Sequence, residues 1–242
     1  MKIKIIILFC IASCLSCKKQ QMAPAAAATI NIVNAAIDLT AVKINPTGET
    51  ISYKNTTDQV GYSAGKLYYA QVGVHGFEIV NSADTTKRIF NGNLDFESTI
   101  YTMYLVGQSP NIDTILRKES NLPFIKTDVT VPKSMDSVVY VRFVNLSPNS
   151  PTLKINIKNN TLNETDNLTF KSIGSWKSYQ NKNVAATSYV FEIRDVTTNV
   201  ILSTYTFSAN ATNRFKNVTL VIKGLVGTSG TNAFGVFPVN YF

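Results

Sequence analysis

Apolar residues beyond residue 28 are grouped in short runs of β-branched and aromatic side chains, and this grouping restricts the possible folds most strongly. Runs such as Ile30–Val33, Val138–Val144 and Val200–Phe207 are separated by Asn, Gly, Pro, Ser and Thr. None of these runs continues with the period of an amphipathic helix. Short strands about ten residues apart, with turn residues between them, are typical of β-sandwiches. The sequence therefore predicts an all-β protein of antiparallel sheets.

An internal repeat divides this β-rich region into two parts. Three segments of the first part recur in the same order in the second, namely Ile30–Asn34 as Val141–Asn145, Gly76–Ile79 as Val190–Ile193, and Tyr104–Gly107 as Val221–Gly224. We therefore expect two tandem β-sandwich domains, each of about 100 residues as such domains usually are. The predicted ranges are 29–120 for the first sandwich, 121–137 for a linker, and 138–242 for the second sandwich.

The second copy opens with Tyr140–Ile157, which reads YVRFVNLSPNSPTLKINI. This segment resembles the domain-of-unknown-function family forty-three ninety-seven, whose first strand reads Val-Arg-x-Val-Asn/His-x-Ser-Pro and is followed by an alternating strand. The resemblance implies tandem immunoglobulin-like modules in secreted or lipid-anchored bacterial proteins, and it implies no catalytic residue. The first copy departs from the pattern, because Asn31 replaces the Arg and Ala35-Ala36 replaces the Ser-Pro. Its assignment therefore depends on the repeat.

Residues 1–16 have the pattern of a bacterial export signal. Lys2 and Lys4 precede the apolar run Ile5–Ala12, which is too short to span a bilayer because a spanning helix needs about 20 residues. The three cysteines of the chain, Cys10, Cys14 and Cys17, all lie at this end. Small residues before the second and third of them resemble the lipobox of lipoproteins, in which a cysteine thiol is acylated.

We expect lipidation at Cys17, with Cys14 as the alternative site and an ordinary cleaved signal as the alternative mechanism. Residues 17–28 then form the lipidated cysteine and a short tether. Acyl chains such as palmitate hold a protein on a membrane because each buried methylene contributes about 0.8 kcal/mol. The predicted location is the bacterial outer membrane, on either its periplasmic or its surface face.

The remaining sequence offers little catalytic or metal-binding chemistry. His75 is the one histidine, and no cysteine lies beyond residue 17. We therefore expect no metal site and no cofactor. Asp95 and Glu97 alternate just before the strand predicted to begin at Ile100, so both carboxylates share one face, an arrangement that a glycan hydrolase could use. The alternative interpretation of this pair is ordinary solvated charge.

Trp176 and Tyr179 are the candidate ligand-binding residues, because polar and flexible residues flank them and exposed rings stack on sugar faces. The alternative is that they belong to a sandwich core. The net charge of +8 comes from scattered Lys and Arg, so nucleic acid is not an expected partner. The leading hypothesis is a non-catalytic, lipid-anchored envelope protein that binds a glycan or a partner protein. The alternatives are a hydrolase that uses Asp95 and Glu97, and a structural subunit joined to a surface assembly by strand addition.

Overall fold

The computed structural model describes residues 27–53, 58–124, 138–160, 162–181, 187–210 and 212–241, and within these residues the fold is built from β-strands. The described part contains no α-helix, and a 3-10 turn at Gly230–Asn232 precedes the last strand. The strands are β1 (Ala27–Asn34), β2 (Ala41–Asn45), β3 (Val60–Gly61), β4 (Ala64–Gln71), β5 (Gly73–Asn81), β6 (Arg88–Phe96), β7 (Ile100–Gln108), β8 (Asn111–Lys118), β9 (Val138–Asn145), β10 (Leu153–Ile157), β11 (Asn163–Leu168), β12 (Lys177–Gln180), β13 (Thr187–Asp195), β14 (Ile201–Ala209), β15 (Asn217–Lys223) and β16 (Gly235–Tyr241). The predicted all-β class is confirmed.

The strands form four sheets of four strands each, and the second half of the chain repeats the topology of the first. We call the sheets β4-β1-β7-β8 and β12-β9-β15-β16 the inner sheets, and β3-β2-β5-β6 and β11-β10-β13-β14 the outer sheets. Pairing is antiparallel except between β1 and β7 and between β9 and β15, which are parallel. The order differs from the ABED and CFG sheets of immunoglobulin constant domains.

Each half of the chain has its own core between an inner and an outer sheet. Ile30 and Ile32 of β1 alternate toward Phe77 and Ile79 of β5, which lie on the facing outer sheet. In the second half, Val141 and Phe143 of β9 contact Phe191 and Ile193 of β13 in the same way. These two pairs of sheets are the first and second sandwich.

A third core lies between the two inner sheets. Val33 and Tyr104 of the first sandwich pack with Val144, Val221 and Phe237 of the second. The central strands of the inner sheets are therefore buried on both faces, which explains their nearly continuous apolar sequence. The layers follow each other as outer, inner, inner and outer sheet.

The predicted segment boundaries lie partly outside the described residues. Strand β1 begins at Ala27, β8 ends at Lys118 and β9 begins at Val138, whereas residues 125–137 of the predicted linker are not described. The division into two separate domains stays a prediction, since the sandwiches share the third core. The signal at 1–16, Cys14 and Cys17 also lie outside the described residues, so export and lipidation stay predictions.

Within the part of the chain that the structure describes, no helix has the length and apolar character needed to cross a membrane.

Candidate functional site

A buried ion pair joins the two sandwiches at the third core. Arg142 lies in the middle of β9 and points from the second sandwich toward the first, where Glu119 follows the end of β8. Its Nη1 donates to Glu119 Oε2 at 2.8 Å and its Nη2 donates to Glu119 Oε1 at 2.5 Å. Both side chains are almost completely buried, at 1% and 2% exposure. A two-point pairing of this kind satisfies the geometry of both groups and fixes their relative position.

Hydroxyl groups from both sandwiches complete this network. Arg142 Nε donates to Thr219 Oγ1 at 2.9 Å, and its Nη2 donates to the Tyr241 hydroxyl at 3.0 Å. Thr102 Oγ1 donates to Glu119 Oε1 at 2.8 Å. Burial by itself lowers the pKa of the Arg142 guanidinium, but the Tyr104 hydroxyl and the Glu119 carboxylate outweigh it and raise the pKa above its ordinary value. The Arg142 guanidinium therefore stays charged, and its hydrogen bonds fix the position of β9 relative to Glu119.

The candidate ligand-binding residues Trp176 and Tyr179 lie in two different cores. Trp176 is half-buried against the third core, where the Arg142 guanidinium lies 4.4 Å from its ring centre. Tyr179 is 5% exposed in the second core and donates its hydroxyl to Glu164 Oε2 at 2.8 Å. Burial and the hydrogen bond to Glu164 raise the pKa of the Tyr179 hydroxyl. The structure does not bring the two rings together on one exposed surface, so they form no shared stacking platform.

Asp95 and Glu97, the acidic pair considered for hydrolysis, lie where β6 ends in the first sandwich. Asp95 is exposed near the end of β6, opposite Val74 of β5, and Glu97 is exposed in the turn that follows. Glu97 forms an ion pair with Lys118 at 2.5 Å. His75 lies nearby on β5, where its Nε2 is 3.0 Å from the carbonyl oxygen of Val72. The structure therefore places this pair on an exposed end of the sandwich, with one carboxylate already paired to a lysine.

A polar groove on the outer sheet of the first sandwich was not found by sequence reasoning. It has a volume of about 570 Å³ and lies beside the loop 46–53. This loop approaches the sheet most closely where Gly48 meets Gly76 of β5. A Cβ atom on Gly48 would lie 2.8 Å from the Gly76 Cα, and the φ angle of Gly48 is +71°. Only glycine fits this contact without strain.

Charged groups line the groove in a fixed arrangement around Glu78. The Tyr53 hydroxyl donates to Glu78 Oε2 at 2.7 Å, and Arg88 Nε donates to Glu78 Oε1 at 2.6 Å. Burial and this hydrogen bond to the carboxylate raise the pKa of the Tyr53 hydroxyl. The Arg88 side chain remains 64% exposed, so its other N–H groups are accessible to a ligand. Asn91 and Thr86 add an amide and a hydroxyl to the same surface.

Carboxylates elsewhere in the described residues act as hydrogen-bond acceptors and do not gather into a cluster of metal ligands. Among the residues that the structure describes, no three His, Cys, Asp or Glu side chains lie together as metal ligands would. Asp84, Asp113 and Asp195 have pKa values below their ordinary value, because neighbouring side-chain and backbone groups donate hydrogen bonds to them. These carboxylates are hydrogen-bond acceptors of turns and surface pairs.

The residues that carry the family resemblance hold the start of the second sandwich together. Asn145 Oδ1 accepts the Ser147 N–H at 3.1 Å, and Ser147 Oγ donates to the Gly224 carbonyl at 2.7 Å. In the first sandwich, Asn34 Oδ1 accepts the Ala36 N–H at 3.2 Å in the equivalent turn. The Asn of the motif thus closes the same turn in both copies.

Comparison with known proteins adds no relative. No protein-family model matches the sequence, and no curated protein matches it either. The resemblance carried by Tyr140–Ile157 therefore stays a prediction.

Proposed function

We propose that this protein is a non-catalytic, lipid-anchored component of the bacterial envelope, and that the groove around Glu78 binds a glycan. The anchor comes from the predicted signal and from Cys17. The groove is the observation that carries the binding role, because it combines carboxylate, guanidinium, amide and hydroxyl groups that are already held in place. Such fixed polar groups recognise ligands with many hydroxyls at a low entropic cost.

The position of Ala27, where β1 begins, agrees with a tether that reaches the membrane from one end of the first sandwich. Ala27 pairs with Gln71 at the end of β4, and Thr29 N–H donates to the Thr99 carbonyl at 3.0 Å. Tyr69 of β4 and Val74 of β5, on either side of the short connection near this end, are 76% and 63% exposed. Exposed aromatic and apolar side chains of this kind suit a membrane interface. In this arrangement the end that carries Ala27 faces the bilayer.

The groove differs from its counterpart in the second sandwich, which supplies a control. The repeat aligns Glu78 with Glu192, whose carboxylate also pairs with an arginine, Arg194, at 2.8 Å. That second pair lies on the other outer sheet, with side-chain exposures of 22% for Arg194 and 11% for Glu192, and is not part of the groove beside loop 46–53. Glu192→Gln and Arg194→Ala are therefore matched controls for Glu78→Gln and Arg88→Ala.

The test is a glycan array probed with the full chain in detergent. We expect binding to at least one envelope polysaccharide, a loss of at least tenfold in affinity for Glu78→Gln and Arg88→Ala, and unchanged affinity for the two controls. A tenfold loss equals about 1.4 kcal/mol, a usual value for one hydrogen bond to a charged group. Absence of binding to every glycan, or equal losses in both sandwiches, contradicts the proposed groove.

A further inference from the structure

Strand β14 forms an unprotected edge of the outer sheet in the second sandwich. Its sequence, ILSTYTFSA, contains no charged residue and no proline. Each other described edge strand of four or more residues carries a charge or a proline, namely Lys66 in β4, Arg88 and Asp95 in β6, Asp113 in β8, Glu164 in β11, Lys177 in β12 and Pro238 in β16. Charges and prolines are the usual means by which proteins prevent edge strands from pairing.

The free side of β14 can be assigned from its hydrogen bonds. The Ser208 carbonyl accepts a bond from Asn213 Nδ2 at 2.6 Å, so it points away from β13. Because peptide groups of an antiparallel strand alternate between its two sides, those of Thr204 and Thr206 point the same way. Asn213 occupies the end of the edge, and the stretch Ile201–Phe207 keeps its outward peptide groups available.

The neighbouring surface leaves space beside this edge. A cleft of about 480 Å³ lies between β14 and β16 and is lined by Tyr205, Phe207 and Pro238, among others. Pro238 has no N–H to donate, so it interrupts the row of hydrogen-bond donors along β16, whereas β14 has no such interruption. The equivalent edge of the first sandwich, β6, is closed to pairing by Arg88 and Asp95.

The charges at the two ends of β14 select the partner and its direction. Asp195 is the last residue of β13, at the turn into β14, and Arg214 and Lys216 lie in the loop after β14. Antiparallel pairing of two identical β14 strands brings the acidic turn of one copy toward the basic loop of the other. Parallel pairing brings like charges together. Thr204, Thr206 and Ser208 are exposed on one face, and Thr–Thr and Thr–Ser pairs across strands are favourable.

We propose that two copies of this chain associate through antiparallel pairing of their β14 strands. The product is a twofold-symmetric dimer with one continuous sheet of eight strands, formed from the two outer sheets of the second sandwiches. The pairing covers Val200 and Ile201, which are 56% and 42% exposed in the single chain. This inference concerns the second sandwich alone and does not depend on lipidation or on the Glu78 groove.

The test compares the mass of the full chain in detergent, by light scattering, across a concentration series. We expect a dimer for the native sequence and a dissociation constant at least tenfold higher for the double variant Thr204→Lys/Thr206→Lys. Its matched control, Asn91→Lys/Asn93→Lys, places the same charges on the exposed face of β6 and leaves the dimer intact. Thr206→Pro, which removes one outward N–H, gives a second variant that weakens the dimer without adding charge.

Amide hydrogen exchange separates loss of pairing from loss of folding. We expect the Thr204 and Thr206 amides to become more protected with concentration, while those of β6 do not change. A native chain that stays monomeric, a dimer that survives both β14 variants, or an edge occupied by a different protein contradicts the proposal. If a variant fails to fold, the concentration dependence of the native amides still decides the question.

Discussion

Arg142 of the second sandwich and Glu119 of the first form a buried two-point ion pair, with N–O distances of 2.8 and 2.5 Å. The pair connects β9 to the residue that follows β8, and hydroxyls of Thr219 and Tyr241 bond to the same guanidinium. A guanidinium with five donors can engage partners on several strands at once. This network is therefore a buried polar connection between the two sandwiches, within a third core that is otherwise mainly apolar.

Breaking this pair on one side is expected to destabilise the protein strongly. Arg142→Met leaves the buried Glu119 carboxylate with only the half-exposed Arg117, whose Nε is 3.4 Å from Oε2, and costs up to about 5 kcal/mol in the free energy of unfolding. The double variant Arg142→Met/Glu119→Leu recovers most of that loss, because no charge remains buried. Urea denaturation measures both values. Lys171→Met, which breaks the exposed pair with Asp113, serves as the control and changes the stability by less than about 1 kcal/mol.

Trp176 is expected to act in stability and not in ligand binding. Its ring packs beneath the Arg142 guanidinium and meets the Tyr241 ring edge-on, with centroids 6.0 Å apart. Trp176→Ala therefore lowers the free energy of unfolding by up to about 3 kcal/mol, and it leaves glycan affinity unchanged. Thermal unfolding and the glycan array measure the two effects. A variant that loses glycan binding at full stability contradicts this assignment and restores Trp176 as a binding residue.

Gly48 is expected to be irreplaceable for the shape of the groove. Gly48→Ala places a Cβ against the Gly76 backbone and also strains a positive φ angle, so loop 46–53 must move away from the sheet. We expect at least a tenfold loss of glycan affinity with the second sandwich unchanged. Gly227→Ala is the control, because Gly227 has a φ of +82° but no atom near its Cβ position. Equal effects of the two substitutions on affinity exclude a role for the close contact.

Asp38 links the two sandwiches at the end opposite Ala27 and makes their contact sensitive to acid. Asn232 Nδ2 donates to its Oδ1 at 2.7 Å, and Gln108 Nε2 donates to its Oδ2 at 2.9 Å. These bonds, that of Gln108 first, lower the pKa of the Asp38 carboxyl below its ordinary 3.8. Because the folded pKa is the lower one, the stabilising effect is complete above pH 3.8 and disappears as the pH falls through the folded value.

The corresponding measurement is the acid side of the stability curve. Asp38→Asn removes the titrating group, so the difference in melting temperature between the native protein and the variant shrinks as the pH falls below 3.8. Asp95→Asn, at an exposed carboxylate of β6 away from the contact between the sandwiches, is the control for general charge effects. A difference that stays constant with pH means that Asp38 does not contribute through its charge.

The all-β fold class could be predicted from sequence, because the alternation of side chains along β10 and the turn residues between apolar runs are local signals. The burial of β9 on both faces was not predicted. The partner of Arg142 was not predictable, because Glu119 is distant in sequence and adjacent only after the inner sheets have packed. The groove was missed for the same reason: Tyr53, Glu78 and Arg88 come from three separate elements.

The aromatic candidates show a second limit of sequence reasoning. Trp176 and Tyr179 are close in sequence and have polar neighbours, which suggested an exposed pair. Successive side chains at a strand point to opposite faces, and here both faces of the inner sheet are covered. Nothing in the local sequence distinguishes a sheet with one covered face from a sheet with two.

The most direct test of the proposed envelope role is the mass of the N-terminal peptide of the protein isolated from native membranes. We predict a peptide that begins at Cys17 and carries acyl chains on that residue. The same modification at Cys14 keeps the anchor and moves its site. A peptide that retains residues 1–16, or a mature terminus without acyl chains, contradicts the lipid-anchored role proposed for this protein.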